Sequence, residues 1–326
     1  VPAMRIAILL LLATGLAAEY RGRLVVVEKK GASVGFYSSS GQRTAGTKTA
    51  LHPHEILFSE DRKTIFVSEN GLLWMTDPGH GGNTIAVIDA ATQRKTGVID
   101  LGANHRPHGM DLDPKTGRLV VTVENPSGLV LVDTHAKKVL RRYDTKGKQP
   151  HMVVLSRDGR TAWVSNSGSR TLAALDLDTG AVQLLELGDN PQGGVLTRDG
   201  KTLFLAVMAA NKIVVIDTAR KAVTGEIKTG PGPARLALTP DEKTLVYNIQ
   251  MDPAVAFADV ATRRQMASVK LPGRPLSLTM SRDGSTAWLG LQEEDKIAVV
   301  SVAERKVLRY LDTPKGTGPD PVLPLD

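Results

Sequence analysis

Pro107-His108-Gly109-Met110-Asp111-Leu112-Asp113-Pro114 has an outline that returns along the whole chain. Pro53-His54 through Ser59, Pro150-His151 through Ser156, Pro191-Gln192 through Thr197, Pro233-Ala234 through Thr239 and Pro275-Leu276 through Ser281 repeat it. Each copy opens on Pro and carries a large apolar residue five positions later: Phe58, Leu112, Leu155, Leu196, Leu238 or Met280. A turn residue follows. The leading prolines are spaced by 54, 43, 41, 42 and 42 residues.

A period near 42, filled with short β-rich segments, is the length of one four-stranded propeller blade. Within a repeat the first segment ends in an Asp-Gly type turn, as at Asp158-Gly159, Asp199-Gly200 and Asp283-Gly284. The second is β-rich (Thr161-Ala162-Trp163-Val164, Thr286-Ala287-Trp288-Leu289). The third stops at Asp89, Asp133, Asp176, Asp217, Asp259 or Ser301, side chains suited to bond the next backbone amides and start a turn. These Asp residues read as structural. Trp163 and Trp288 occupy equivalent positions and read as core between blades, and His135 reads as an exposed turn residue.

The two ends of the chain complement each other. Arg23 to Lys30, Ser33 to Ser38 and Gln42 to Thr49 match the second, third and fourth strands of a repeat with no first strand ahead of them. Gly318-Pro319-Asp320-Pro321-Val322-Leu323 reads as a first strand with nothing behind it, and Pro319 lies 44 residues after Pro275. Pairing the two removes the exposed edges of an open array. The expectation is an all-β, seven-bladed propeller of four-stranded blades, one domain over residues 19–326. Pro319, Pro321 and Pro324 count against the closing strand, because Pro donates nothing to a ladder.

Composition is compatible with this. A chain of 326 residues would ordinarily divide into two domains, but a closed repeat array can form one unit. Hydrophobic residues make up 41%, enough for a core of Val, Leu, Ile and Ala. Cysteine is absent, which excludes disulfides, thiolate metal sites and Cys-linked lipid. The formal charge is +7, but Lys and Arg are scattered over turns such as Asp199-Gly200-Lys201-Thr202, with no basic run interleaved with aromatics. That pattern argues against nucleic acid as a partner. Met4-Arg5, the apolar run Ile6 to Leu12 and Gly15-Leu16-Ala17 read as a secretory signal peptide, residues 1–18. A periplasmic or secreted protein with no membrane span after cleavage is therefore expected.

Val214-Val215-Ile216-Asp217-Thr218 and Thr84-Ile85-Ala86-Val87-Ile88-Asp89, with the preceding pattern Pro-x-x-x-x-Leu-Thr-x-Asp-Gly-Lys-Thr, resemble the YVTN-type β-propeller repeats of exported bacterial proteins. The resemblance runs over about residues 23 to 325. It implies the fold and leaves function open, since this architecture includes lactonases, quinoprotein dehydrogenase subunits, nitrite- and nitrous-oxide-reductase propeller domains, and binding proteins.

Function has to be sought where the repeats differ. The residue after each leading Pro reads, around the ring, Asp320, His54, His108, His151, Gln192, Ala234, Leu276. The residue before it reads Gly318, His52, Arg106, Gln149, Asn190, Gly232, Arg274. Near the end of the second strand, expected on the same face, the series is Lys29, Glu69, Glu124, Asn166, Val207, Ile249, Leu291. One arc is ionisable and the other apolar. The candidate ligand-binding residues are thus His52, His54, Glu69, His105, Arg106, His108, Glu124, His151, Asn166 and Gln192. The longest repeat also carries about 12 extra residues, within Gly71 to Asn83. This segment should overhang the same mouth as a lid, with Trp74, Met75 and His80 over the ligand.

Three imidazoles with carboxylates are ligands for a divalent transition metal, and His54, His108 and His151 are the candidates. Without metal, the same groups suit acid–base opening of a lactone, with Arg106 or Arg274 on the oxyanion. A bland alternative is that each His simply bonds a neighbouring backbone group where its strand begins. Small-ligand or metal binding at the channel mouth is the preferred reading. A lactone hydrolase or metal-dependent oxidoreductase, and a non-catalytic module for an envelope protein, are the other two. The catalytic residues and the cofactor are not specified by any motif.

Overall fold

The computed structural model describes residues 22–325; the expected signal peptide lies outside the described residues. Seven antiparallel sheets of four strands each form the blades. Blade 1 is composite, with Leu24–Glu28, Ser33–Tyr37 and Arg43–Lys48 joined at their inner edge by Pro319–Pro324. The innermost strands of blades 2 to 6 are Pro53–Phe58, His105–Asp113, Pro150–Leu155, Pro191–Leu196 and Pro233–Leu238. Blade 7 begins with an isolated bridge from Pro275 to Leu291 and the short strand Thr279–Met280. Among the described residues no helix is long and apolar enough to cross a membrane.

The ring closes as the two chain ends require. Val26 pairs with Val322 and Leu24 with Pro324, with a register shift before Glu28 meets Pro319. The prolines are tolerated because this strand, like every other Pro-led strand, is the inner edge of its sheet and has a ladder on one side only. Packing between neighbouring blades supplies the core. Trp163 of blade 4 lies against Leu203 and Leu205 of blade 5, and Trp288 of blade 7 against Leu24, Val26 and Tyr37 of blade 1. Both indoles are 2% exposed, as their equivalent sequence positions predict.

The inner strands carry a shared irregularity that matters for the site. Register shifts fall just after the leading proline, between Pro53 and Ile56, Pro107 and Met110, Pro150 and Val153, Pro191 and Gly194, and Pro233 and Leu236. A bulge re-aims the side chain beside it. Here it turns the residue after Pro towards the axis. Second-strand polar groups then bond the carbonyls that the bulge releases in the next blade. Thr122 Oγ1 donates to His151 O (2.8 Å), Ser165 Oγ to Gln192 O (2.7 Å) and Asn248 Nδ2 to Pro275 O (2.8 Å).

The repeated Asp at the end of the third strand is a turn device. Asp89, Asp176 and Asp259 each accept from the backbone amide and hydroxyl of a Thr three residues on, and Asp133 accepts from the amides of His135 and Ala136. His135 itself is exposed.

Candidate functional site

Residues that follow the leading prolines converge on one cavity of about 500 Å³ on the ring axis. His54, His108 and His151 enter it from blades 2, 3 and 4 and are 3%, 4% and 7% exposed. Their rings pack edge to face, with centroids 4.6 Å apart from His54 to His108 and 4.2 Å from His108 to His151. Nε2 of His54 lies 2.7 Å from Leu72 O, and a carbonyl only accepts, so that nitrogen carries the proton. The Nδ1 atoms of all three rings are buried without a hydrogen-bond partner. Burial holds the three imidazoles well below their ordinary range, and the positive charges of Lys29 and Arg235 add to the effect. The row is therefore neutral at physiological pH.

The roof of the cavity comes from the 71–83 segment. Trp74 and Met75 line it, and the neck of the loop closes where a Cβ on Gly71 would meet Gly82 N at 2.2 Å. Gly71 also has φ +85°, so the position demands glycine twice over. Arg106 fastens the loop by donating from Nη2 to Met75 O (2.7 Å). Two cations flank the Trp74 ring, Lys29 Nζ at 5.6 Å and Arg274 Cζ at 5.9 Å from its centroid. Lys29 is also paired with Asp320 at 3.2 Å, joining the two chain ends inside blade 1.

The floor is an ion pair. Arg235 Nη2 of blade 6 donates to Glu55 Oε1 of blade 2. Arg235 borders both the large cavity and a chamber of about 160 Å³ lined by Ile56, Met152, Leu236, Leu278 and Leu323. The pair thus stands between the two. Nδ1 of His108 lies 4.0 Å from Glu55 Oε1, linking the imidazole row to the floor. Burial pushes the Glu55 carboxyl up, and Arg235 opposes that shift.

Residues 42–326 match the profile of one propeller family. The chain is a YNCE-like β-propeller. No curated protein matches this YNCE-like propeller in sequence. Among solved structures, the periplasmic gluconolactonase PpgL of Pseudomonas aeruginosa superposes with a TM-score of 0.73 at 16% identity, over 93% of this chain and 98% of that one. Hydrazine synthase of Kuenenia stuttgartiensis gives 0.68 at 18% identity, over 80% and 86%. The dihydro-heme d1 dehydrogenase NirN, in complex with DHE, gives 0.67 at 14% identity, over 91% of this chain and 64% of that one. These likenesses establish shared architecture.

In the YNCE-like propeller, His54, His108, His151, Gln192, Trp74 and Met75 line one cavity. The remaining candidates do not join them. Glu69 accepts from Ala50 N, Thr84 Oγ1 and Lys95 Nζ, within blade 2 and towards blade 1. Asn166 donates to Thr145 O and Thr171 Oγ1. Glu124 lies 3.0 Å from Arg106 Nη2, although neither of its oxygens has an aligned donor. His52 sits 3.3 Å from Lys29 O, and His105 3.4 Å from Gly81 O with exposed His80 edge-on to it at 5.7 Å. The reason is geometric. Side chains at the last position of a second strand stand perpendicular to the sheet and point away from the axis, whereas the cavity wall is built by the bulged inner strands and by the residues that directly follow the second strands, Lys29, Ser167, Met208 and Gln250.

The metal expectation fares differently from the clustering. Among the described residues no group of three or more His, Asp or Glu is arranged to hold a metal ion. The imidazoles pack on one another edge to face, and Nε2 of His54 is committed to Leu72 O. Glu55 and Arg235 were missed as site residues because they sit two positions after Pro, outside the series compared. That position reads Pro321, Glu55, Gly109, Met152, Gly193, Arg235, Ser277 around the ring, a single acid and a single base.

Proposed function

We propose that this YNCE-like propeller is an exported binding protein for a small polar organic molecule, held on the axis between the imidazole row and Trp74. The observation that carries this reading is the convergence of three imidazoles, Trp74 and four amide side chains on one cavity of about 500 Å³, a size that suits small-molecule sites. Neutral imidazoles with Gln149, Asn190, Gln192 and Gln250 around the wall offer donors and acceptors for hydroxyl groups. The indole supplies an apolar face above them. Export is supported by the N-terminal apolar run Ile6 to Leu12 and by the likeness to a periplasmic lactonase.

Calorimetric titration of glucono-δ-lactone, glucitol and gluconate into wild type and into His108→Ala/His151→Ala tests the reading. Binding of at least one probe, weakened tenfold or more in the double variant, is the expected result. Equal affinity in both proteins would move the site elsewhere.

Lactone hydrolysis is a second reading, favoured by the superposition on a gluconolactonase along nearly its whole length. A neutral His108 would take the proton of the attacking water, and Arg274 would face the developing oxyanion. Acid release from glucono-δ-lactone above the uncatalysed rate, lost in His108→Ala and indifferent to chelator, is its signature. An edge-to-face imidazole row favours both of these readings over a metal-dependent oxidoreductase.

A further inference from the structure

The guanidinium of Arg235 is only half used. Nη2 donates to Glu55, while Nη1 is buried and has no hydrogen-bond partner. A guanidinium is a planar fork whose parallel N–H groups match the two oxygens of a carboxylate. Leaving one branch buried and unpaired forfeits a strong hydrogen bond in a place where water does not compensate for it. The charge balance of the cavity points the same way. Lys29 is neutralised by Asp320 and Arg235 by Glu55, but Arg274 bonds only the uncharged Oε1 of Gln250, at 3.1 and 2.7 Å. Among these groups one positive charge remains over, on the wall beside Trp74.

We infer that the ligand of this cavity is a small carboxylic acid whose carboxylate pairs with the guanidinium of Arg235, which lines the cavity, with Arg274 on the same wall supplying the compensating charge. The inference rests on the cavity being the ligand site. The carboxylate lies at the floor, hydroxyl groups of the same molecule face the imidazole row, and Trp74 covers the apolar edge. Glu55 competes with the ligand for the same guanidinium and repels it, so Glu55 sets the affinity of the site from below.

Gluconate and glucitol differ only in that a carboxylate replaces a terminal hydroxymethyl group, and calorimetry with this pair isolates the claim. Wild type should bind gluconate roughly ten- to hundredfold more tightly than glucitol, the advantage of a charged over a neutral hydrogen-bonded group. Arg235→Gln should abolish the difference between the two. Because that variant could fail to fold, Glu55→Gln gives an independent arm with the opposite sign: it frees Nη2, removes a like charge and should tighten gluconate binding several-fold. Gluconate and glucitol binding alike, gluconate failing to bind, or Glu55→Gln weakening gluconate, would each overturn the carboxylate anchor. Glucitol binding as tightly as gluconate, and lost in His108→Ala/His151→Ala, would leave the small-molecule reading intact while the anchor falls.

Discussion

Arg235 and Glu55 meet across the channel, on blades 6 and 2, although they stand 180 positions apart in the chain. Their side chains are 14% and 16% exposed, so the pair is largely withdrawn from solvent. It ties opposite sides of a ring whose other contacts run mostly between neighbouring blades. Removing one member of such a pair leaves an uncompensated charge, which costs more than removing both. The single substitutions Glu55→Gln and Arg235→Gln should each destabilise, and the double variant should lose less than their sum. A coupling energy of about 2 kcal/mol from urea denaturation is expected; strict additivity would mean that the two groups do not interact.

Acid should act on the imidazole row. Its three members are held neutral in the fold, with protonation displaced well below the ordinary imidazole value of 6.5. Below about pH 6.5 the unfolded chain takes up protons that the folded chain refuses, so stability falls as pH drops through that window. The slope is up to roughly 1.4 kcal/mol per pH unit for each ring that stays neutral. Glu124, pushed up to about 7, and Asp111, pushed up to about 6, contribute with opposite sign because the folded state holds their protons longer. The imidazole share is therefore read as a difference between proteins. His108→Gln should lose less stability than wild type between pH 6.5 and 5, and parallel curves would show that His108 does not titrate on unfolding.

Trp74 should report on the cavity. Trp163 and Trp288 are sealed between blades, whereas Trp74 is only partly buried in the roof loop. Acrylamide should quench one class of tryptophan in wild type and almost none in Trp74→Phe. A ligand seated beneath the indole should protect that class. Quenching unchanged at saturating ligand would place the ligand away from the roof.

Close approach between blades makes one glycine critical. A Cβ on Gly109 would lie 2.5 Å from His151 O and 2.7 Å from Met152 Cα, both backbone atoms of the next blade. Backbone yields little. Gly109→Ala should destabilise by roughly 1–3 kcal/mol and push His151 away from His108, weakening ligand binding as well. Wild-type melting and wild-type affinity together would mean that blades 3 and 4 can separate without consequence.

The closing strand gives a last test. Val322 is fully buried opposite Val26. Val322→Ala removes two buried carbon atoms and should cost roughly 1.5–3 kcal/mol, comparable to the same change in an ordinary blade. A negligible effect in thermal melts would indicate that the ring is held shut by other means.

The repeat of Pro-led strands, the orphan segments at the two ends and the asymmetry of the residue after Pro were all legible in the chain itself. Each depends on local periodicity, because alternation along a strand and a fixed repeat length carry their geometry in the residue order. The same reasoning brought His54, His108, His151 and Gln192 to one opening. It misplaced Glu69, Glu124 and Asn166, because linear spacing does not reveal that these second-strand side chains point away from the axis. The Arg235–Glu55 floor, the fastening of the roof by Arg106 and the unpaired nitrogen of Arg235 came only with the tertiary structure. Those relationships span the axis between residues with no shared period, and only the closed ring brings them within reach of one another.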